Sequence, residues 1–382
     1  MKSEIPFGAP IIGEEEERAV LEVLRGPQLV HGPRAKQFES DFAEFSGSAR
    51  AVSVASCTAG LHLAYMQLGI GPGDEVLVPA QTHVATAHSV EYTGARPVFV
   101  DVCPDTGNID LALAEAAITA RTRAIVVVHY LGLMVDMEAV NAIARKHDLF
   151  VLEDCALALG ARFRGHHAGT LGDAGVFSFY PVKHITTAEG GMLISRNADI
   201  ASRVEKLKAF GYDKNLGERS TPGLYDVDRL GYNYRMNEIE AAIGIEQLRR
   251  APGFAARRRS NARTLRAGLA TIAEIDVLVE GSTDHEHANY AVVAVLDDTH
   301  ARRRSAIIAA MRAAGVGSSI YYPGPVPHLR YYREKYQLGG VRYPNAERIS
   351  HQSIALPVGP HLDEDDMVRV ANTLKNALAA AK

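Results

Sequence analysis

From residue 51 onward, short runs rich in Val, Ile and Phe alternate with longer segments whose apolar residues recur at helical spacing. Strands buried on both faces read as continuous apolar runs, so this alternation is the mark of βα units winding a mostly parallel sheet between helices. It predicts strands at Ala51–Ala55, Glu75–Pro79, Pro97–Val102, Ala124–Val128, Phe150–Glu153, Val176–Tyr180 and Met192–Ser195. Leu61, Ala64, Tyr65 and Leu68 share one helix face before Gly69 closes the turn, which puts the first strand-to-helix junction near Ser56–Thr58. A helix over Asn237–Arg250 meets Pro252 and Gly253, and a second helix is expected from Phe254 to about Ile272. Strands at Tyr290–Leu296 and Gly317–Tyr322, with helices at Arg302–Ala314 and Glu364–Ala379, then read as an α+β layer. The expected fold class is α/β: a large domain over residues 1–251 whose seven-stranded, mostly parallel sheet is sandwiched by helices, and a smaller α+β domain over 252–382.

A chain of 382 residues can bury a large core and has no need of disulfide staples. Lys and Arg total 41 against 45 Asp and Glu, a net charge of −4, so no positive field exists to hold a polyanion and nucleic-acid binding is not expected. Cys57, Cys103 and Cys155 are odd in number and lack CxxC spacing, which fits a reducing compartment better than a disulfide framework or zinc knuckle. The longest apolar stretch, about 12 residues at 124–135, falls short of the roughly 20 needed to span a bilayer, and MKSEIPFGAPIIGEEEE lacks the make-up of a signal peptide. Cytoplasmic localisation without membrane attachment is the expectation.

Several conspicuous clusters read as structural. Gly69, Gly71 and Gly73 precede a strand, whereas a dinucleotide fingerprint must follow one and open a helix, so they mark a tight turn. No GxxxxGK[ST] occurs. Asp284, His285, Glu286 and His287 would alternate across a strand and are read as a solvated strand entry, not a metal site. His166–His167 is read as a surface loop, and Arg257–Arg259 and Arg302–Arg304 as solvated helix faces.

Three segments carry chemistry. VFSFYPVKHITTAEGGMLISR sets Lys183 between two strands in a stretch too irregular for a helix surface, with Ser178, Thr186, Thr187, Gly190 and Gly191 marking a close-packed turn. An amine held in such a pocket can form a Schiff base. FVLEDCALALG ends an apolar strand in Glu153 and Asp154, and carboxyl ends of strands are where α/β sheets hold ligands. A carboxylate there can keep a pyridine nitrogen protonated, the logic of pyridoxal phosphate; an ordinary helix-capping aspartate is the alternative. In SVASCTAGLHLA a strand gives way to a helix whose first amides and dipole suit a phosphate, with Thr58 and Ser178 as further donors.

With these segments in place, the chain resembles the DegT-type sugar aminotransferases, fold-type I enzymes dependent on pyridoxal phosphate. The likeness runs from IPFGAPIIGEEE through GDEVLVPAQTHVATAHSV and PVFVDVCPDTGNID to YYPGPVPHL and ALPVGPHL, and is sharpest in LEDCALALGA, FSFYPVKHITTAEGGM and GYNYRMNEIEAAIG. It implies that Lys183 is the Schiff-base lysine, Asp154 the ring-nitrogen partner, and Ser178 with the Cys57–Thr58 junction the phosphate contacts. His83 stands where the family stacks an aromatic residue on the cofactor ring. Asn233 would reach the phosphate in a neighbouring subunit, with Arg235 nearby, so that a homodimer shares its sites. Tyr321, Tyr322 and His328 resemble a substrate-facing loop, and His184 follows the lysine where the family commonly has asparagine. Leu157 departs from the pattern, replacing the glutamine or histidine that usually bonds the cofactor's phenolic oxygen, and Cys57 replaces the usual glycine.

The resemblance implies transfer of an amino group from an amino acid, glutamate by analogy, to a nucleotide-linked ketosugar, in making an amino sugar for a surface polysaccharide or natural product. Lys183 would move a proton between substrate and cofactor as general base. A deoxygenating sugar dehydratase on the same scaffold is one rival; in this family it carries histidine in place of the lysine. A non-catalytic regulatory homologue is the other.

Overall fold

The computed structural model describes residues 4–214, 221 and 223–381. In chain order the elements are α1 (Glu14–Arg25), α2 (Pro33–Ser46), β1 (Arg50–Val54), α3 (Cys57–Met66), β2 (Glu75–Pro79), α4 (Val84–Glu91), β3 (Arg96–Val100), α5 (Leu111–Ala116), β4 (Thr122–Val128), α6 (Met137–His147), β5 (Phe150–Asp154), β6 (Arg162–Phe163), β7 (His166–His167), β8 (Ala174–Ser178), β9 (Gly191–Ser195), α7 (Ala198–Leu207) and α8 (Glu238–Leu269). Then follow β10 (Ile275–Val277), β11 (His285–Glu286), β12 (Ala291–Leu296), α9 (Asp298–Ala301), α10 (Arg304–Ala313), α11 (Arg330–Lys335), α12 (Pro344–Gln352), β13 (Ser353–Pro357) and α13 (Glu364–Ala380).

All seven strands read from the apolar runs join one sheet in the order β1-β9-β8-β5-β4-β2-β3. Pairing is parallel from β3 through β8, and β9 alone runs against its neighbours. That single reversal matters, because it brings the chain linking β8 to β9 back over the same sheet edge where β1, β2, β4 and β5 end. Carboxyl ends of strands, a helix N-terminus and an irregular turn thus converge on one place. One apolar cluster lies on each side of the sheet, around Leu61, Val76 and Leu193 on one and Phe42, Ile125 and Val127 on the other.

Downstream of residue 252 a second, three-stranded sheet orders β10-β12-β13 and packs with α10 and α13 around Val292, Ile307 and Leu374. Three expectations are corrected here. Pro252 does not end a helix: α8 runs for 32 residues straight through it and packs against α1, α2 and α13. A helical proline forfeits one ladder hydrogen bond and crowds the preceding turn, and packing along both halves of the helix outweighs that cost of roughly 3 kcal/mol. The stretch Gly317–Tyr322 is not a regular strand; one bridge joins Ser319 to Ala355, and the chain then leaves the small sheet toward the large one. His167, expected on a surface loop, is buried in β7, where its Nε2 accepts from the Gly160 amide at 3.0 Å. Among the described residues no helix is long and apolar enough to cross a membrane.

Candidate active site

A cavity of about 320 Å3 opens at the convergent sheet edge, within the range of roughly 300–1,000 Å3 usual for small-molecule sites. Cys57, Thr58, His83, Asp154, Ser178, Lys183 and Tyr322 all line it, and so does Leu157.

Asp154 closes β5, and strand alternation separates it from its neighbour. Glu153 points to the opposite face, where its oxygens accept from His129 Nε2 at 2.8 Å and from the amides of Gly169, Leu171 and Gly172. His129 Nδ1 accepts from the Val135 amide, so Nε2 carries the proton donated to Glu153. Burial alone would raise the Glu153 carboxyl, but the His129 bond and the amides outweigh it and leave the group below its ordinary range. Asp154 instead faces the cavity: Oδ2 accepts from Thr86 Oγ1 at 2.8 Å and Oδ1 from the Ala156 amide at 3.1 Å. Thr86 Oγ1 in turn lies 2.8 Å from Thr82 Oγ1.

Lys183 is carried by the turn between β8 and β9. Phe179 and Gly190 close its neck through a 3.0 Å backbone bond, and the Thr187 amide and Thr186 hydroxyl both donate to the Phe179 carbonyl. Thr186 and Thr187 therefore shape the turn and take no place in the cavity wall. Gly190, at φ +150°, packs so tightly that a Cβ there would meet Thr187 Oγ1 at 2.4 Å. Burial pushes the Lys183 ammonium below the ordinary lysine range, against the opposing fields of Cys57 and Asp154. Its Nζ lies 5.4 Å from the centre of the Tyr290 ring.

The first turn of α3 completes the wall. Ser56 caps it by accepting from the Ala59 amide at 3.1 Å, which leaves the Cys57 and Thr58 amides without helical partners by the geometry of a helix start. β9 begins directly against this turn, since a Cβ on Gly191 would stand 2.6 Å from the Cys57 nitrogen. Helix-start amides with two neighbouring hydroxyls, a half-buried amine and a buried carboxylate around one cavity fit pyridoxal phosphate, which offers a phosphate, an aldehyde and a ring nitrogen to those three donor sets. His83 lines the cavity edge-on to Tyr322, ring centres 5.7 Å apart, and burial lowers its pKa.

The remaining expected residues lie elsewhere. His184 turns into the core, where its Nε2 donates to the Ala288 carbonyl at 3.1 Å; burial, then the field of Arg258, holds it neutral. Asn233 is exposed on an extended segment whose Tyr232 and Tyr234 pack inward on His62. Arg235 lies over the Phe210 ring at 4.9 Å, lining a separate groove with Lys36 and Lys206. His328 donates to the Val341 carbonyl at 2.9 Å, off the cavity. Tyr321 stands behind Tyr322, its hydroxyl 2.6 Å from that of Tyr290. Sequence reasoning passed over Thr82 and Thr86, whose spacing of four at a helix start puts both hydroxyls on one face, and Gln81, an amide at the end of an apolar strand.

The profile of the DegT/DnrJ/EryC1/StrS aminotransferase family matches residues 10–375. The spore coat polysaccharide biosynthesis protein SpsC of Bacillus subtilis (strain 168) is 36% identical over 99% of this chain and 98% of its own length. The putative sugar aminotransferase Spr1654 from Streptococcus pneumoniae, solved in PMP and PLP forms, superposes its PMP form with a TM-score of 0.93 at 28% identity, covering 99% of this chain and all of that one. Helicobacter pylori PseC, an aminotransferase involved in the biosynthesis of pseudoaminic acid, superposes with the same score, identity and coverage.

Proposed function

Because this chain belongs to the DegT/DnrJ/EryC1/StrS aminotransferase family and is a pyridoxal phosphate-dependent sugar aminotransferase, we propose that it moves an amino group from an amino acid, glutamate by resemblance, to a nucleotide-linked ketosugar, in making an amino sugar for a surface polysaccharide or natural product. The observation that carries this reading is the meeting of Lys183, Asp154 and the first turn of α3 around one cavity.

When bound, pyridoxal phosphate supplies an aldehyde for amines and a ring that withdraws the electrons left on a substrate carbon. The chain's own groups do the rest. The Cys57 and Thr58 amides, with the Thr58 and Ser178 hydroxyls, would hold the phosphate at the positive end of α3. Asp154, fixed by Thr86 and the Ala156 amide, would hold a proton on the ring nitrogen. Lys183 would hold the aldehyde through Nζ, and its neutral form would serve as the general base that takes a proton from the substrate carbon and later returns one. Desolvation favours that neutral form. Tyr322, and Tyr321 behind it, form the sugar-facing wall.

The protein acts in the cytoplasm as a homodimer in which Asn233 serves the neighbouring subunit's phosphate. In support, Asn233 is exposed and clear of its own cavity, and Leu224, Val227 and Leu230, shortly before it in the chain, are exposed apolar residues of the kind a second copy covers.

Borohydride reduction of the yellow holoprotein, followed by peptide mapping, is expected to fix the cofactor on Lys183, and Lys183→Ala is expected to lose both the adduct and turnover. A wild-type steady-state rate in Lys183→Ala would overturn the assignment. Feeding nucleotide-linked ketosugars and a cyclitol ketone to the pyridoxamine form identifies the acceptor, and product mass separates amination from the water loss of a dehydratase.

A further inference from the structure

Gln81 lies two residues beyond the end of β2 and is fully buried. Every polar atom of its side chain is engaged, and every partner belongs to a different part of the chain. Nε2 donates to the Tyr321 carbonyl at 2.7 Å and to Tyr130 Oη at 3.2 Å, while Oε1 accepts from the Ser350 hydroxyl of α12 at 2.7 Å. The Tyr321 carbonyl also accepts from the Tyr130 hydroxyl, so one backbone oxygen is gripped by two donors of the large domain. One residue earlier, the Ala80 carbonyl accepts from the Val326 amide at 2.9 Å. One residue later, Thr82 meets Thr86, the donor to Asp154.

The four residues 80–83 therefore join the Tyr321–Val326 strip to the cavity. We propose that Gln81 is a positioning residue for the sugar acceptor: through the Tyr321 carbonyl it sets where Tyr322 stands in the cavity wall, and so how the sugar sits, without touching the substrate itself. The proposal rests on the reading of Tyr322 as a sugar-facing wall. Tyr322 has no other support of this kind from the large domain among its described contacts; its ring meets His83, Tyr130 and Tyr321 by packing alone. A backbone carbonyl held by two side-chain donors is a fixed point, and removal of one donor lets the strip drift by more than a well-formed site tolerates.

The two half-reactions separate this role from a purely structural one. The amino acid half-reaction depends on Lys183, Asp154 and the phosphate cup, whereas the sugar half-reaction also needs the wall. Gln81→Leu is expected to raise KM for the acceptor, the uridine or thymidine diphosphate-linked ketohexose that turns over fastest in the panel above, by about tenfold, equivalent to 1.4 kcal/mol. The single-turnover rate with the amino donor should stay within about twofold. Gln81→Glu keeps the bond from Ser350 and the side-chain volume but turns an acceptor on the Tyr321 carbonyl, so it is expected to act in the same direction and serves if Gln81→Leu does not fold. Ser350→Ala, which leaves the Tyr321 carbonyl held, should lower the melting temperature with acceptor KM unchanged. An acceptor KM within twofold of wild type in both Gln81 variants, or an equal loss in both half-reactions, overturns the proposal. Tyr322→Ala tells the two layers apart: if it raises acceptor KM while the Gln81 variants do not, only the role of Gln81 fails, and if it too leaves KM unmoved, the wall reading fails and the role of Gln81 with it.

Discussion

At the scale of single residues, the site is built from pairs in which position along an element decides function. Glu153 and Asp154 are adjacent carboxylates at one strand end, yet alternation sends one to a buried histidine and three loop amides and the other to the cavity. Lys183 and His184 divide in the same way, one lining the cavity and the other bonded to a core carbonyl. For Lys183 the direction of the pKa shift has a measurable sign. Burial disfavours the ammonium more strongly than Cys57 and Asp154 favour it, so the folded-state pKa is depressed and the free amine persists to lower pH than in an exposed lysine. In cofactor-free protein, acylation of Lys183 by an amine-reactive ester, followed by mass spectrometry across pH, is expected to show its midpoint below that of the surface lysines. A midpoint coincident with theirs would contradict the desolvated environment. The sequence made Lys183 and Asp154 legible because each sits in a local pattern, a turn between strands and the end of an apolar run. Thr86, Gln81 and the inward turn of His184 were not legible, since each is defined by a partner more than 60 positions away.

At the scale of elements, the reach of sequence reasoning follows from burial. The seven sheet strands are apolar on both faces and were found within about two residues, as expected where hydrophobic runs alone specify an element. Pro252 and the Gly317–Tyr322 strip misled because propensity is a local statement and both are set by tertiary packing. The junction of β9 with α3 shows what such packing does for chemistry. At Gly191 an added Cβ would meet only backbone, the Cys57 nitrogen and Ser56 carbonyl carbon at 2.6 Å and the Phe177 carbonyl oxygen at 2.8 Å, so no side chain can give way. Gly191→Ala must then push the first turn of α3 off the sheet edge, at the roughly 1–3 kcal/mol typical of overpacking. The lost alignment of the Cys57 and Thr58 amides is expected to weaken pyridoxal phosphate binding by about tenfold, near 1.4 kcal/mol. Equilibrium dialysis alongside thermal melting checks this; a lower melting temperature with unchanged cofactor affinity would mean that the strand's approach matters for stability alone.

At the scale of the whole molecule, the chain brings a nearly complete cofactor cavity but carries Asn233 on its outside. The segment that bears it is anchored at the site, because the Ala55 amide donates to the Tyr234 carbonyl at 2.8 Å just before the cap of α3. Its two tyrosines face inward on His62, and extended alternation then obliges Asn233 to face out; Leu224, Val227 and Leu230, shortly before it in the chain, are exposed as well. A residue displayed in this way can serve a phosphate only across an interface, and a two-fold axis would make the service mutual. Lys183→Ala and Asn233→Ala each damage a site, but in different subunits if the sites are shared. When the two variants are unfolded together in equal amounts and refolded, half the dimers are mixed, and each mixed dimer has one site with both residues intact, so activity should return to about a quarter of wild type. Neither variant refolded alone should reach that level at limiting pyridoxal phosphate. If Asn233 served its own subunit, no arrangement of the two chains would rebuild a site, and the mixture would stay at the average of its parts.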